Sequence, residues 1–378
     1  MAVSMKRKIR MGMVGGGPGA FIGAVHRMAA RLDGEIELVS GVFGRDPAKS
    51  RAAAEELHLA PERGYADYQS MIATEKALPE DQRIDFVTIC TPNYCHFPVA
   101  KAFLEAGFHV LCEKPLAMNS AEARELEALV KKSGRLFCLM HNYTGFPMIR
   151  QARQLIAEGK LGTVRKVNVE YSLGWLAAPN AGKQAAWRVD PKQAGISGCM
   201  ADIGTHAQHL IEFVTGMPIR EVCADLATFV PGRALDDDGS VLLRFDNGAR
   251  GVIFASEVAT GEENNFILKI YGDKAALEWQ AQNPENLIIR SNDAPIQVLR
   301  RGWPGTGEAA AQNSRLPAGH PEGFIEAFAN IYRMFAEAIR TGTPGDYPSV
   351  SDGVAEMLFL EAIVANSKGS EKWTKLVR

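Results

Sequence analysis

No two cysteines of this 378-residue chain stand at C-x-x-C spacing, and no run of about 18 apolar residues occurs in it. The first lack leaves Cys90, Cys95, Cys112, Cys138, Cys199 and Cys223 to be read as reduced, mostly buried thiols of a cytoplasmic protein. The second argues against a membrane span. An excess of charge is missing too: 42 Lys and Arg against 44 Asp and Glu leave a formal net charge of -2. That balance gives no electrostatic reason to expect nucleic acid or a membrane as partner. Internal repeats and low-complexity segments are absent, and Met11 to Val14, behind the basic residues Lys6, Arg7, Lys8 and Arg10, is too short for a secretory signal. What is present is ordinary globular composition, 46% hydrophobic and 23% charged, at a length that predicts two domains with separate cores.

The N-terminal half alternates strand and helix. Ile9 to Val14 predicts a buried strand, followed at once by Gly15, Gly16, Gly17, Pro18 and Gly19. Strand, glycine turn, then helix is the context in which glycines let a backbone approach a pyrophosphate that the next helix N-terminus receives. Gly15 and Gly17 supply the first two glycines of such a fingerprint; the loop is lengthened by roughly Pro18 to Ala20, and the third glycine falls at Gly23. Phe21 and Ile22 stand at the helix entry and join the candidate cofactor contacts. A helix from Gly23 to Leu32, a strand from Ile36 to Phe43 and a helix from Pro47 to Leu57 continue the βαβ pattern. At the end of that second strand, NAD sites carry an acidic residue and NADP sites carry small and basic ones. Here the sequence is Gly44-Arg45-Asp46: either Arg45 meets a 2′-phosphate or stacks on adenine, or Asp46 turns in to serve NAD.

Tyr65 to Thr74 predicts a short helix and Asp85 to Thr91 a central strand, apolar as strands buried on both faces are. It ends at Thr91-Pro92-Asn93, with His96 opening a helix to Gly107. The strand Phe108 to Cys112 runs into Glu113-Lys114-Pro115, a lysine whose backbone the following ring restricts and whose bond to Pro115 is a candidate cis peptide. Helix Ser120 to Lys132 and strand Leu136 to Met140 then complete an expected six-stranded doubly wound sheet.

Beyond Met140 the pattern changes. Helix Phe146 to Glu158 precedes a half-exposed strand, Val164 to Tyr171. The loop from Gly174 to Gly198 carries Trp175, Trp187 and Arg188; an Arg beside a Trp is suited to a polyol or, equally, to an ion pair. In the segment Gly198 to Leu210, at about 100° per residue, Asp202, His206 and His209 share a narrow sector while Ile203, Ala207, Leu210, Ile211 and Val214 share another. One flank packs and the other presents an acid one turn before an imidazole, a spacing suited to proton transfer. Asp202, His206 and His209 lack a further ligand cluster, so no metal is expected. Strands at Glu221 to Phe229, Ser240 to Phe245, Ala249 to Glu257, Asn265 to Gly272 and Ala275 to Trp279 predict one broad antiparallel sheet. His320 ends the loop Arg301 to Pro321 and opens a helix from Glu322 to Thr341, where it can reach a substrate pocket, its own or a neighbour's.

Taken in order, Gly15-Gly16-Gly17, Thr91-Pro92-Asn93 with His96, Glu113-Lys114-Pro115 and Asp202-x-Gly204-x-His206 resemble the glucose-fructose oxidoreductase, inositol dehydrogenase and rhizopine catabolism family. The resemblance covers nearly the whole chain. It implies an α/β protein: an N-terminal Rossmann domain with a doubly wound parallel sheet (1–142), then an α+β domain with a large open, mainly antiparallel sheet (143–378) for substrate binding and for assembly into a homodimer or homotetramer. It implies NAD or NADP as cofactor, held by Gly15, Gly17, Phe21, Ile22, Gly44, Arg45, Thr91, Pro92, Asn93, His96, Glu113 and Lys114. Lys114, Asp202 and His206 match the catalytic positions, and Asn142, Tyr143, Trp187, Arg188 and His320 join Asp202 and His206 as candidate substrate contacts. The expected activity is oxidation of a secondary ring hydroxyl of a cyclitol, inositol-type by preference, or of a pyranose sugar. The same residues serve a sugar ketoreductase or an anomeric aldose dehydrogenase. A dinucleotide-sensing regulator is the reading from another class, and it has no need of Lys114, Asp202 and His206 together.

Overall fold

Strands dry on both faces and strands wet on one face distinguish the two halves of the chain. The computed structural model describes residues 7–179 and 182–377; Lys6 and residues 180–181 of the Gly174 to Gly198 loop lie outside them. Two units emerge: unit 1 comprises Met1–Ala117, Ala121–Met140 and Phe328–Val354, and unit 2 comprises Met118–Ser120, His141–Ala327 and Ala355–Arg378.

In unit 1 the order is β1 (Ile9–Gly15), α1 (Phe21–Leu32), β2 (Ile36–Val42), α2 (Pro47–Glu56), α3 (Tyr68–Ala77), β3 (Phe86–Cys90), α4 (His96–Ala106), β4 (His109–Glu113), α5 (Ser120–Ser133) and β5 (Phe137–Met140). The strands form one parallel sheet in the order β2-β1-β3-β4-β5. Every residue of β3 is buried, as expected of a parallel strand with cover on both faces. The sheet has five strands and not the six expected. Between β2 and β3 the chain spends its residues on α2, a 3₁₀ turn at Pro61–Arg63 and α3, leaving no second apolar run to pair. Asp46 and Asp67 start α2 and α3 by accepting from backbone N–H groups one turn on.

Unit 2 contains α6 (Pro147–Ala157), β6 (Val164–Ser172), α7 (Lys183–Arg188), α8 (Pro191–Ala194), a π-helical turn at Met200–Gly204, and α9 (Thr205–Thr215). Strands β7 (Ile219–Ala227), β8 (Asp238–Phe245), β9 (Arg250–Ser256), β10 (Asn265–Gly272), β11 (Ala276–Gln280), β12 (Asn286–Arg290) and β13 (Gln297–Arg300) follow, then α10 (Glu308–Ala311). The remaining elements are α11 (Phe324–Thr341), α12 (Val350–Lys368) and β14 (Thr374–Lys375). The nine-stranded sheet runs β13-β12-β11-β10-β6-β9-β8-β7-β14. It is antiparallel except that β6 and β9 pair in parallel, which agrees with the mainly antiparallel sheet expected. Along β8, Val241, Leu243 and Phe245 are buried while Ser240 and Leu242 are exposed, the period-2 mark of a sheet with one open face. Strands β12 and β13 escaped sequence reading because most of their positions are half-exposed or exposed, so no apolar alternation announces them.

Two packing features position the site. In unit 1, the part of α11 from Phe328 onward lays Tyr332 and Phe335 against Phe86 of β3, with ring centroids 6.3 and 5.4 Å away. In unit 2, Phe266 stacks on Tyr171 at 4.3 Å and meets Tyr143 edge-on at 4.6 Å. Each such buried aromatic stabilises its unit by about 1.5–3 kcal/mol. Helix α11 starts two residues later than expected because Glu322 is committed to the Arg301 guanidinium at 3.0 Å and accepts from the backbone N–H of Arg315 and Leu316.

Candidate active site

Unit 1 first offers a backbone cradle. Gly15 and Gly16 adopt φ of 93° and 67°, the left-handed region that side chains disfavour. A Cβ on Gly17 would lie 1.8 Å from the Phe43 carbonyl oxygen, and one on Gly23 would lie 2.3 Å from Gly16 Cα. The turn is therefore closed against both β2 and α1, and only glycine permits that approach, as a dinucleotide phosphate site requires. Phe21, the first residue of α1, is 66% exposed at the mouth of this turn, and Ile22 beside it is half-buried. Gly44 has open space around it, while Arg45 lies over the Tyr94 ring at 5.7 Å. Asp46 is occupied: its carboxylate accepts from Ala48 N–H at 2.9 Å and Lys49 N–H at 3.3 Å.

At the ends of β3 and β4, His96 is spent on backbone. Its ring lies between the Pro115 carbonyl at 2.7 Å and the Thr91 carbonyl at 2.9 Å, where the Thr91-Pro92-Asn93 turn meets the turn that follows Lys114, and a neutral ring donates its one N–H to one of the two. Burial pulls its pKa down. Lys114 is half-buried and precedes a cis bond to Pro115. Its backbone N–H donates to Glu113 Oε2 at 3.2 Å, and the other carboxylate oxygen of Glu113 lies 2.8 Å from His26 Nε2. With the proton on that nitrogen, His26 donates to Glu113 and accepts from the Tyr332 hydroxyl at 2.7 Å, which in turn accepts from Thr88 at 3.0 Å. His26 and Tyr332 carried no motif; His26 reads as one polar residue on an apolar helix face, and Tyr332 joins from far along the chain.

Unit 2 gathers the acid and the imidazoles. The π turn carries Asp202 and passes directly into α9 with His206 and His209, both buried. Arg188 at the end of α7 donates from Nε to Asp202 Oδ2 at 2.7 Å, with its guanidinium over Trp187 at 4.4 Å and Trp175 at 5.5 Å. Of the two roles read for Arg188, the ion pair is the one present in this arrangement. Tyr143 meets the His206 ring edge-on at 5.0 Å, and its hydroxyl bonds the Tyr171 hydroxyl at 2.6 Å. Burial pushes both phenols up, so these tyrosines stay neutral. Asn142 is buried, and its amide nitrogen has no hydrogen-bond partner among the described residues. His141 stacks on His209 at 4.0 Å and stands edge-on to His206 at 5.5 Å. His320 is exposed, and its carbonyl accepts from Arg301.

Sequence reasoning missed Glu257. It follows β9, is 2% exposed, and lines a small cavity with Arg188, Asp236 and Asp237. Its burial and the Asp202 charge raise its pKa well above the usual carboxylate range. A lone glutamate at the end of an apolar strand gives no warning of that placement.

Among known families, residues 9–141 match the model described as the oxidoreductase family, NAD-binding Rossmann fold, and residues 149–278 match the GFO/IDH/MocA C-terminal domain. The chain belongs to this GFO/IDH/MocA oxidoreductase family. Over 385 residues, 98% of each chain, it is 35% identical to the uncharacterized oxidoreductase YfiI of Bacillus subtilis (strain 168). It is 26% identical over 397 residues to levoglucosan dehydrogenase of Pseudarthrobacter phenanthrenivorans, covering 97% of this chain and 98% of that one. An inositol dehydrogenase homolog from Azotobacter vinelandii, complexed with NAD⁺, superimposes with a TM-score of 0.93 at 35% identity, covering 98% of this chain and 97% of that one. The same homolog with NADH and myo-inositol gives a TM-score of 0.91 at 34% identity and 98% coverage of both. As in that family, unit 1 carries an NAD-binding Rossmann fold, and the glycine cradle described above fits the dinucleotide.

Proposed function

We propose that this member of the family is a dehydrogenase that oxidises a secondary ring hydroxyl of an inositol-type cyclitol or of a pyranose sugar to a ketone. The observation that carries the reading is the unit 2 cluster: a buried imidazole, His206, walled by two neutral tyrosines, with Asp202 one turn earlier on an Arg188 ion pair. The bound nicotinamide supplies the hydride acceptor. His206 takes the hydroxyl proton, an imidazole being matched to neutral pH. Asp202 orients and supports the imidazolium. The Lys114 ammonium hydrogen-bonds the reacting oxygen and stabilises its developing negative charge. Asn142, with its spare amide donor, and Trp187, Arg188 and His320 serve the remaining ring hydroxyls. Gly15, Gly17, Phe21, Ile22, Thr91, Pro92 and Asn93 hold the dinucleotide, Glu113 fixes the backbone of Lys114, and His96 braces the two turns. Because Asp46 is engaged at the start of α2 and Gly44 is small, Arg45 with Tyr94 receives the adenosine ribose, and the enzyme accepts NADP⁺ as well as NAD⁺. The open face of the sheet around Leu242, Val252 and Phe254 is covered by a second copy in a homodimer or homotetramer.

The test is nicotinamide reduction with NAD⁺ and NADP⁺ in parallel over a panel of inositols and hexoses, with reduced cofactor and ketosugars for the reverse direction. Turnover should fall about 10²–10⁴-fold in His206→Ala and in Lys114→Ala while dinucleotide binding persists. Tight dinucleotide binding with no reaction in either direction would refute the dehydrogenase and favour a sensor.

A further inference from the structure

We infer that Asp236 is a positioning residue for the reaction: from just before β8 its carboxylate grips the backbone of Gly198 and Met200, and through them it sets where the π turn holds Asp202. The grip stands on the geometry of unit 2; its catalytic part rests on the dehydrogenase reading.

A helical segment opens with backbone N–H groups that no earlier turn can answer. Cys199, at the entry to the π turn, supplies no side-chain cap of its own. The answer comes instead from Asp236, 36 positions beyond Met200. Its Oδ1 accepts from Gly198 N–H at 2.9 Å, and its Oδ2 accepts from Met200 N–H at 2.9 Å and from the Ser197 hydroxyl at 3.0 Å. The Cys199 N–H between them donates to the Asp236 carbonyl at 2.9 Å. A single residue therefore takes the N–H groups of Gly198, Cys199 and Met200 in succession. The approach is close as well: a Cβ on Gly198 would lie 2.5 Å from the Asp236 carbonyl oxygen.

The gripped peptides are those from which the site hangs. The Gly198 carbonyl accepts from Asp202 N–H at 3.0 Å, so a shift of Gly198 is passed to Asp202. The Met200 carbonyl accepts from Thr205 N–H, the bond that closes the π turn. His206 has separate support, because α9 buries Ala207, Leu210, Ile211 and Val214. Slack at Asp236 accordingly falls on Asp202 and spares the imidazole.

The mount behind Asp236 is stiff. The next residue, Asp237, donates its N–H to the Ala227 carbonyl at 3.0 Å, and its carbonyl accepts from Glu257 N–H at 2.9 Å. Those bonds tie the start of β8 to the end of β7 and to the residue after β9. The Asp237 carboxylate also accepts from Phe229 N–H at 2.8 Å and from Val230 N–H at 3.0 Å. The sheet fixes Asp236, and Asp236 carries that fixed position to the turn. A carboxylate suits the task because it is an acceptor on both oxygens, whereas an amide of the same size must turn N–H groups toward one of the backbone donors.

The experiment uses the full-length protein with NAD⁺ and the polyol that the panel turns over best, and follows amide hydrogen exchange across residues 197–204 beside kcat. Asp236→Ala should speed exchange in that segment about tenfold and lower kcat about tenfold through loss of hydrogen bonds to a charged group, while dinucleotide affinity holds. Asp236→Asn should act in the same direction, and it carries the test if Asp236→Ala does not fold. An Asp202→Asn background separates positioning from plain stability: there the Asp236 substitution should lower kcat by less than about a further twofold, since the residue it acts through is already gone. Exchange unchanged from wild type overturns the grip. Faster exchange with kcat unaltered, or a kcat loss of the same size in the Asp202→Asn background, overturns the positioning role. If no form of the protein, wild type included, turns over a polyol, the dehydrogenase reading fails and takes the positioning role with it, and the exchange rates alone decide the grip.

Discussion

Each unit buries a carboxyl group beside a residue assigned to the chemistry, and the two do so in opposite ways. In unit 1, Glu113 is answered on both oxygens, by Lys114 N–H and by His26, and the chain of partners runs on through Tyr332 to Thr88. In unit 2, Asp236 and Glu257 line a small cavity with Arg188 and Arg233, and burial raises the pKa of both carboxyls. A satisfied network is a rigid mount; a buried carboxyl such as Glu257, with one oxygen lacking a partner among the described residues, favours its protonated form. The difference separates a device for holding a backbone from a device that responds to pH.

The largest effect should come from the cradle. Gly17→Ala forces a Cβ into the Phe43 carbonyl at 1.8 Å, so β2 or the turn must move. A loss of about 3 kcal/mol of stability is expected, with dinucleotide affinity falling in parallel; denaturant melts and cofactor titration check both. Next, His26→Ala strips a partner from Glu113 and from Tyr332 at once. It should cost about 2–3 kcal/mol, read as a lower midpoint in urea, whereas a near-neutral result would dissolve the contrast between the units. Glu257→Gln should cost less than about 1 kcal/mol near neutral pH, since it removes a carboxyl from a crowded group.

The sign of its pH dependence follows from linkage. The folded pKa of Glu257 lies above the unfolded value, so between the two the native state binds more protons than the unfolded chain. Wild-type stability therefore falls as pH rises from the ordinary carboxylate range to the point where Glu257 ionises. Thermal melts from about pH 5 to about pH 8 should show a shallower decline in Glu257→Gln, and parallel declines would remove Glu257 from the account. The smallest effect is expected at the adenosine end: Arg45→Ala should lower kcat/KM for NADP⁺ about tenfold and for NAD⁺ much less. Equal losses would detach Arg45 from cofactor choice.

The legible parts of the molecule were those whose physics is local. Glycines with φ above zero, Asp46 and Asp67 at helix starts, and β3 as an unbroken apolar run all declare themselves within a few residues. Periodicity put Asp202 and His206 in one sector of a uniform helix, whereas a π turn at Met200–Gly204 stands in place of its first turn. The hidden parts depend on distant partners. Glu113 meets Tyr332 through His26 across more than half the sequence, and Glu257 shares a cavity with Arg188 and Asp236 only because β9 ends beside them. The parallel β6–β9 pair is hidden for the same reason, since strand direction in a sheet is decided by what lies between strands and not by either strand alone.

The return of Phe328–Val354 to unit 1 has a consequence for how the protein is made. A ribosome releases β1 to β5 long before Tyr332 and Phe335 exist to cover Phe86, so the nascent parallel sheet waits with one stretch of its apolar surface bare. A fragment stopped after Met140 would carry that bare surface permanently and should aggregate, whereas the same fragment followed through a short linker by 328–354 should be soluble and bind dinucleotide. Residues 328–354, translated well after β5, thus act as the latch of the unit that was begun first.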